Sequence, residues 1–278
     1  LRAAFFYLAK ICYTERDMKY FRYICVAVLL TTLGTGCVQV ETSRTPEQPT
    51  QTQNRLDVGE DIERRVITFG SERYDKLVLY RFAGDAFKWR FAYSNTPKPV
   101  SQWRTDTSAT MVVNGTYFHE DQFPSGFLVV DGKAVGERSF DYDKSGVVNL
   151  RPDVEIIDTT ARDVSIEDLT FAGQSYPFLV KNNEPAIAED SGLTGRRSFF
   201  GTTQNGDVVI GVVPSTRISL HKLSRILVEE TGIAWKHVMN LDGGTSTGLS
   251  INSDGWNETI DSLVPVPSVI IAEPADGG

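Results

Sequence analysis

The sequence predicts an α+β fold: one domain built on a mixed, mainly antiparallel sheet with few helices. Three observations carry this expectation. Short apolar or alternating runs, bounded by Gly, Asp and Asn, recur along the chain as strands do. A single segment keeps a clear helical period. That segment stands between two strand-like runs, so a strand–helix–strand unit sits inside an otherwise strand-rich chain and covers one sheet face.

The N-terminus reads as an address rather than as part of the fold. Met18 starts a segment with Lys19 and Arg22, an apolar run from Tyr23 to Leu33, and the small residues Gly34-Thr35-Gly36 before Cys37. A charged start, a short apolar stretch and small residues make an export signal. Residues 1–17 do not fit this plan, so Met18 is read as the true start. Cys37 follows the pattern of a bacterial lipoprotein lipidation site, although Gly34 stands where Leu is usual. Plain secretion is the alternative. The Thr-, Gln- and Pro-rich segment 38–55 reads as a flexible tether. The expected location is therefore bacterial and exported, with contact to membrane only through a lipid on Cys37.

Residues 56–278 are then the folded domain. Cys12, Cys25 and Cys37 are the only cysteines, so this domain is held by its core and not by disulfides. The whole chain carries a net charge of −8. The first 37 residues hold five Lys/Arg and two Asp/Glu, which leaves the remainder at −11. An acidic body argues against nucleic acid as a partner. Recognition of phosphate has to come from a few placed groups.

The elements follow in order. Lys76–Phe82 and Phe87–Tyr93 read as strands joined by the hairpin Ala83-Gly84-Asp85-Ala86. Met111-Val112-Val113 is a short buried strand. Phe127–Val130 and Lys133–Val135 flank Asp131-Gly132, a two-residue hairpin signal. Asp207–Val213, His237–Met239 and Ser268–Ala272 are further strands. The helix has Ser219 as its cap, Leu220, Leu223, Ile226 and Leu227 at helical spacing, and Gly232 to close it.

Asn240–Thr247, NLDGGTST, holds the leading functional candidate. It sets one carboxylate, Asp242, between an apolar strand and two glycines followed by hydroxyls. Gly243 and Gly244 let backbone turn and approach a ligand closely, and Ser246 and Thr247 add donors. The competing reading is an ordinary hairpin turn, because Asp-Gly also suits one. Asn114-Gly115, after a strand, carries the same ambiguity, and Asn114-Gly115-Thr116 is also a glycosylation sequon.

Four segments taken together resolve more. Val112–Phe118 (VVNGTYF) with Pro124-Ser125-Gly126, Gly173–Leu179 (GQSYPFL), Arg197–Gly201 (RSFFG) and NLDGGTST resemble, in this order and at these distances, the phosphodiester glycosidase family. The resemblance spans about Val112 to Ile271. It implies the same fold class and a hydrolase of sugar–phosphate diesters, N-acetylglucosamine-like in the sugar. It implies Asp242, Arg197 and Asn114 as catalytic residues. Gly115, Thr116, Tyr117, Gly243, Gly244, Ser246 and Thr247 are the implied substrate-binding residues. The family usually has a third glycine where Thr245 stands, which predicts a stiffer loop or a smaller pocket.

Chemistry agrees with those residue types. Asp242 has three open roles: base toward water, acceptor for sugar hydroxyls, or metal ligand. Arg197 offers a planar fork for paired phosphate oxygens, whereas Arg196 is expected to face elsewhere and be solvated. The Asn114 amide suits a sugar hydroxyl or acetamido group. Tyr117 and Phe118 are candidates for a sugar platform, against a plain core role. Gly173 and Pro177 are expected to shape a loop. His119 is near enough to reach a site, while His221 and His237 read as structural or exposed. No zinc spacing is present, and an oxygen-ligated calcium or magnesium ion stays open. The expected partner is a phosphodiester-linked glycan or sugar phosphate. The rival readings are a metal-dependent phosphodiesterase cutting the P–O bond and a surface lipoprotein that binds glycans without turnover.

Overall fold

The computed structural model describes residues 54–136, 141 and 144–275. The leader, Cys37 and the tether up to residue 53 lie outside the described residues. In chain order the first strands are β1 (Asn54–Gly59), β2 (Ile62–Thr68), β3 (Lys76–Phe82), β4 (Phe87–Lys98), β5 (Met111–Asn114) and β6 (Leu128–Val130). There follow β7 (Lys133–Val135), β8 (Gly146–Asn149), β9 (Glu155–Asp158), β10 (Ala172–Ser175), β11 (Phe178–Lys181) and β12 (Glu184–Pro185). The last are β13 (Thr194–Thr203), β14 (Val208–Ser219), β15 (Trp235–Asn240), β16 (Leu249–Ser253), β17 (Trp256–Ile260) and β18 (Val266–Pro274). Among the described residues there are two helices, α1 (Val100–Thr107) and α2 (Leu220–Glu229), and two short 3-10 turns.

This is the α+β class with mainly antiparallel sheets. One sheet has eight strands in the order β1-β2-β3-β14-β13-β15-β11-β12, and two have five, β7-β6-β10-β8-β9 and β17-β16-β5-β18-β4. The strand–helix–strand unit is present as β14–α2–β15. Its two strands run parallel but are not neighbours: β13 lies between them, antiparallel to both. Neighbouring strands among the described residues pair antiparallel throughout.

The largest apolar cluster draws on all three sheets, with Tyr80, Phe82, Trp89, Phe91, Met111, Val113, Leu128, Phe200 and Met239 among its members. Strand alternation explains why. Phe200 faces this cluster, whereas its neighbour Phe199 faces a second one beneath α2, formed with Leu223, Ile226, Leu227 and Trp235. Val112 likewise points opposite to Met111 and Val113, into a third cluster with Val100 and Trp103 of α1. Both faces of the central strands are thus covered, and each large side chain buried there contributes about 1.5–3 kcal/mol.

Local chemistry fixed several elements as expected. Ser219 caps α2 by accepting from Lys222 N at 3.2 Å. The Asp131-Gly132 link between β6 and β7 has φ of +52° and +70°, the paired positive values of a type I′ turn. Two expectations fail. Residues 83–86 do not form a hairpin: β3 pairs with β2 and β14, while β4 pairs with β18 in another sheet. Both edges of β3 are already taken, and the link carries the chain across the core, where Phe82 and Phe87 meet edge to face at 5.0 Å. Gly173 shapes no loop either. It lies inside β10, where a Cβ would come within 3.0 Å of Phe91 and 3.2 Å of Leu128 and Thr116.

Candidate functional site

Register decides which residues meet. Asn240, the last residue of β15, pairs with Phe199 of β13, and Leu241 N donates to Ser198 O at 2.9 Å. Asp242 therefore continues alongside Arg197. The chain then leaves the eight-stranded sheet and enters β16 of a five-stranded one, so residues 242–248 form the crossing between sheets. Beside β16 runs β5, which ends at Asn114 directly under that crossing.

Asn114 pins it. Its Nδ2 donates to Asp242 O at 2.7 Å and to Gly115 O at 3.2 Å. Its Oδ1 accepts from Ser198 Oγ at 2.7 Å and from Gly248 N at 3.1 Å. The side chain is fully buried. An amide with both ends engaged has nothing left for a sugar, so the expected substrate contact gives way to a positioning role. Burial also removes Asn114 as a surface glycosylation acceptor. Gly115 is required by packing rather than by ligand approach: a Cβ there would lie 2.4 Å from Ser268 Oγ and 2.9 Å from Ser268 backbone.

The hairpin-turn reading of Asp242 fails on dihedrals. A type I′ turn needs positive φ at both central residues, yet Gly243 has φ −116° and Asp242 is not among the positive-φ residues. Gly244, at φ +61° and facing open space, is the residue that turns the chain. Asp242 accepts from Gly243 N at 2.9 Å and is also hydrogen-bonded by the Ser246 side chain. Burial outweighs both bonds and raises its pKa to about 6.

Two groups share its surroundings. Burial first, then the charge of Asp242, pushes the Tyr117 hydroxyl far above its ordinary value. Burial draws the Arg197 guanidinium down. Arg197 Nη2 donates to Leu193 O at 3.0 Å, while its Nε has no partner among the described residues. Tyr117 packs against Tyr176 with ring centroids 4.8 Å apart, and its hydroxyl oxygen meets Asn240 Nδ2. A carboxylate with a neutral-range pKa, a protonated phenol and a partly free guanidinium are thus gathered at one sheet end.

A model of the phosphodiester glycosidase family matches residues 107–273, more than half of the chain and inclusive of every group just described. The chain belongs to the phosphodiester glycosidase family. Among solved structures, the catalytic domain of zebrafish N-acetylglucosamine-1-phosphodiester alpha-N-acetylglucosaminidase, auto-inhibited by its pro-peptide, is similar at 14% identity and TM-score 0.56. That alignment covers 83% of this chain and 86% of the zebrafish one. A hypothetical protein from Synechocystis is similar at 12% identity and TM-score 0.54, over 81% of this chain and 64% of that one. The chain thus spans under two thirds of the Synechocystis protein. At these identities the likeness carries the fold. No curated protein sequence matches.

The remaining candidates sort by burial. Thr116 and Thr247 are buried, and Thr247 Oγ1 lies 3.4 Å from Ser198 Oγ inside the Asn114 knot, not at a rim. Gly243 packs tightly, since a Cβ would come within 3.0 Å of Arg196 O. Arg196 is not solvated as expected. It is buried and donates to Asp261 O at 3.0 Å, facing away from Arg197. Thr245 and Ser246 line a cleft of about 560 Å³ with Phe118, Gln122, Val264 and Pro265, so Thr245 does form pocket wall. His119 is exposed, His221 lies 3.9 Å from Asp190, and His237 packs against Phe178. Among the described residues no group of three His, Cys, Asp or Glu converges. No helix among them is long and apolar enough to cross a membrane. Sequence reading missed Ser198, Tyr176 and Asn240, although all three lie inside segments that carried the family resemblance.

Proposed function

We propose that this protein hydrolyses a glycosyl phosphodiester at the bond between sugar carbon and phosphate oxygen, with an N-acetylglucosamine-like sugar. The convergence of Asp242, Tyr117 and Arg197 at one sheet end, inside the family's matched region, carries the reading. A phosphate leaves as a weak base and needs little proton donation, which suits a site with one carboxylate rather than an acid pair. Arg197 stabilises charge that builds on the phosphate. Asp242, ionised above its pKa of about 6, takes a proton from water or faces the cationic sugar. Asn114 and Ser198 hold the backbone beneath it. An exported chain with its leader at residues 1–37 would meet such linkages in envelope or extracellular glycans. Fractionation of cells carrying the native chain and Cys37→Ser tests that location, with loss of membrane association expected in the variant.

Hydrolysis of an N-acetylglucosaminyl phosphodiester in heavy-oxygen water tests the reaction. Label is expected in the sugar. Label in the phosphate would replace this mechanism by P–O cleavage, and no turnover across a panel of sugar–phosphate diesters would leave a glycan-binding protein instead. Arg197→Lys keeps the charge but loses the planar fork. Its kcat/KM should fall about ten- to a hundredfold, or roughly 1.4–2.7 kcal/mol of transition-state stabilisation. Native kinetics in that variant would assign Arg197 to the scaffold.

A further inference from the structure

We propose that the Tyr117 hydroxyl donates a hydrogen bond to the phosphate oxygen that departs from the sugar, and that Asn240 is the residue that aims it. The inference rests on the glycosyl phosphodiester reading above and adds a catalytic group and a positioning group to it.

The direction of the Tyr117 proton follows from its neighbour. Asn240 Nδ2 faces two oxygens, the Tyr117 hydroxyl and the Tyr176 carbonyl, the latter at 3.2 Å. A carbonyl only accepts, so the nitrogen of the amide must lie on this side. Turning the amide over would set oxygen against the Tyr176 carbonyl. Asn240 keeps its orientation although its Oδ1 is then buried without a partner among the described residues. The Tyr117 oxygen is therefore the acceptor in this contact, and its own proton points elsewhere. No group among the described residues takes that proton.

The surroundings give the proton a destination. Asp242 and Arg197, the two groups to which the proposed reaction assigns its chemistry, are both near enough to act on the charge of the hydroxyl. Its ring is held against Tyr176, whose ring in turn has the Lys144 ammonium 5.3 Å from its centre. Asn240 is equally fixed: its N donates to Pro177 O at 3.1 Å and its O accepts from Ser175 Oγ at 2.6 Å. A donor that needs no rearrangement as charge develops is the arrangement that stabilises a transition state. Burial and the nearby carboxylate keep the phenol protonated, so it serves as donor and not as base. In the step, the bond from sugar C1 to oxygen breaks and its electron pair goes to the phosphate oxygen. That oxygen receives the Tyr117 and Arg197 hydrogen bonds. Water oxygen bonds to C1, its proton passes to Asp242, and Tyr117 retains its own.

The test compares kcat and KM of the native chain, Tyr117→Phe, Asn240→Ala and the double variant on an N-acetylglucosaminyl phosphodiester. All are assayed at a temperature where circular dichroism shows each folded. Tyr117→Phe keeps the ring and its stacking, so kcat should fall about a hundredfold with KM within about threefold, because the charge it meets exists only in the transition state. Asn240→Ala should lose about tenfold in kcat, and the double variant should be no slower than Tyr117→Phe alone, as expected when one residue acts through the other. A Tyr117→Phe enzyme within twofold of native kcat, or one changed in KM only, overturns the donor role. Additive losses in the double variant overturn the positioning role of Asn240. Inactivity of the native chain itself refutes the parent reading instead, and is thereby told apart.

Discussion

Replacing Asp242 by Asn should lower turnover at least about a hundredfold, the scale of a lost acid–base group, while the folded chain becomes no less stable. The two halves of this expectation have one cause. Burial holds the Asp242 pKa near 6, above its ordinary value of 3.8. Between about pH 4 and 6 the folded state therefore binds a proton more readily than the unfolded state does. Stability falls as pH rises through that window and stays lower above it. A shift of this size corresponds to roughly 3 kcal/mol at most, and desolvating the amide returns part of that. Asn keeps an acceptor for Gly243 N but carries no charge. Its melting temperature at pH 7.5 should equal or exceed that of the native chain, and the difference should vanish near pH 4. The native rate should fall on the acid side of about pH 6, where the carboxylate protonates. Thermal melts and rate profiles from pH 4 to 8 check both halves. Full activity in the variant would remove Asp242 from the chemistry, and marked destabilisation would show that its charge supports the fold.

This trade-off separates what the sequence can reveal from what only register supplies. Periodicity and turn chemistry act locally, which is why β3, β7, the Asp131-Gly132 turn and the Ser219 cap could be read residue by residue. The helix α1 could not. Its sequence offers Val100 and Trp103 as its buried residues, and its first N–H groups are satisfied from far along the chain. Val100 N donates to Ser262 Oγ at 3.3 Å and Ser101 N to Asp261 Oδ1 at 3.0 Å. A cap 160 residues away leaves no local signature. The link after β3 misled for the same reason, since a short turn looks alike whether it closes a hairpin or changes sheets. Within the site, Asp242 and Arg197 were legible as chemistry-bearing types in glycine-rich or strand contexts. Ser198 and Asn240 are ordinary strand residues until pairing places one beneath Asp242 and the other beside Tyr117.

Asn114 gives the opposite result to Asp242. Asn114→Ala should cost about 3–5 kcal/mol, because buried groups lose their partners at once. Gly248 N loses its acceptor, the carbonyls of Asp242 and Gly115 lose the amide donor, Ser198 Oγ is left with the Asp242 carbonyl at 3.0 Å, and a cavity opens beneath the crossing. For a domain of this size the melting temperature should drop by roughly 10–15 °C. Asn114→Asp discriminates further. Its carboxylate still accepts from Ser198 and Gly248, but it sets a charged oxygen against the carbonyls of Asp242 and Gly115, where the amide donated. It should be destabilised too, and any activity left in either folded variant should be low, because the Asp242 backbone is no longer held in register. Calorimetry with kinetics below the melting point distinguishes this from substrate contact. A variant that melts like the native chain yet fails to turn over would return Asn114 to the substrate, and the knot of hydrogen bonds around it would then be dispensable to the fold.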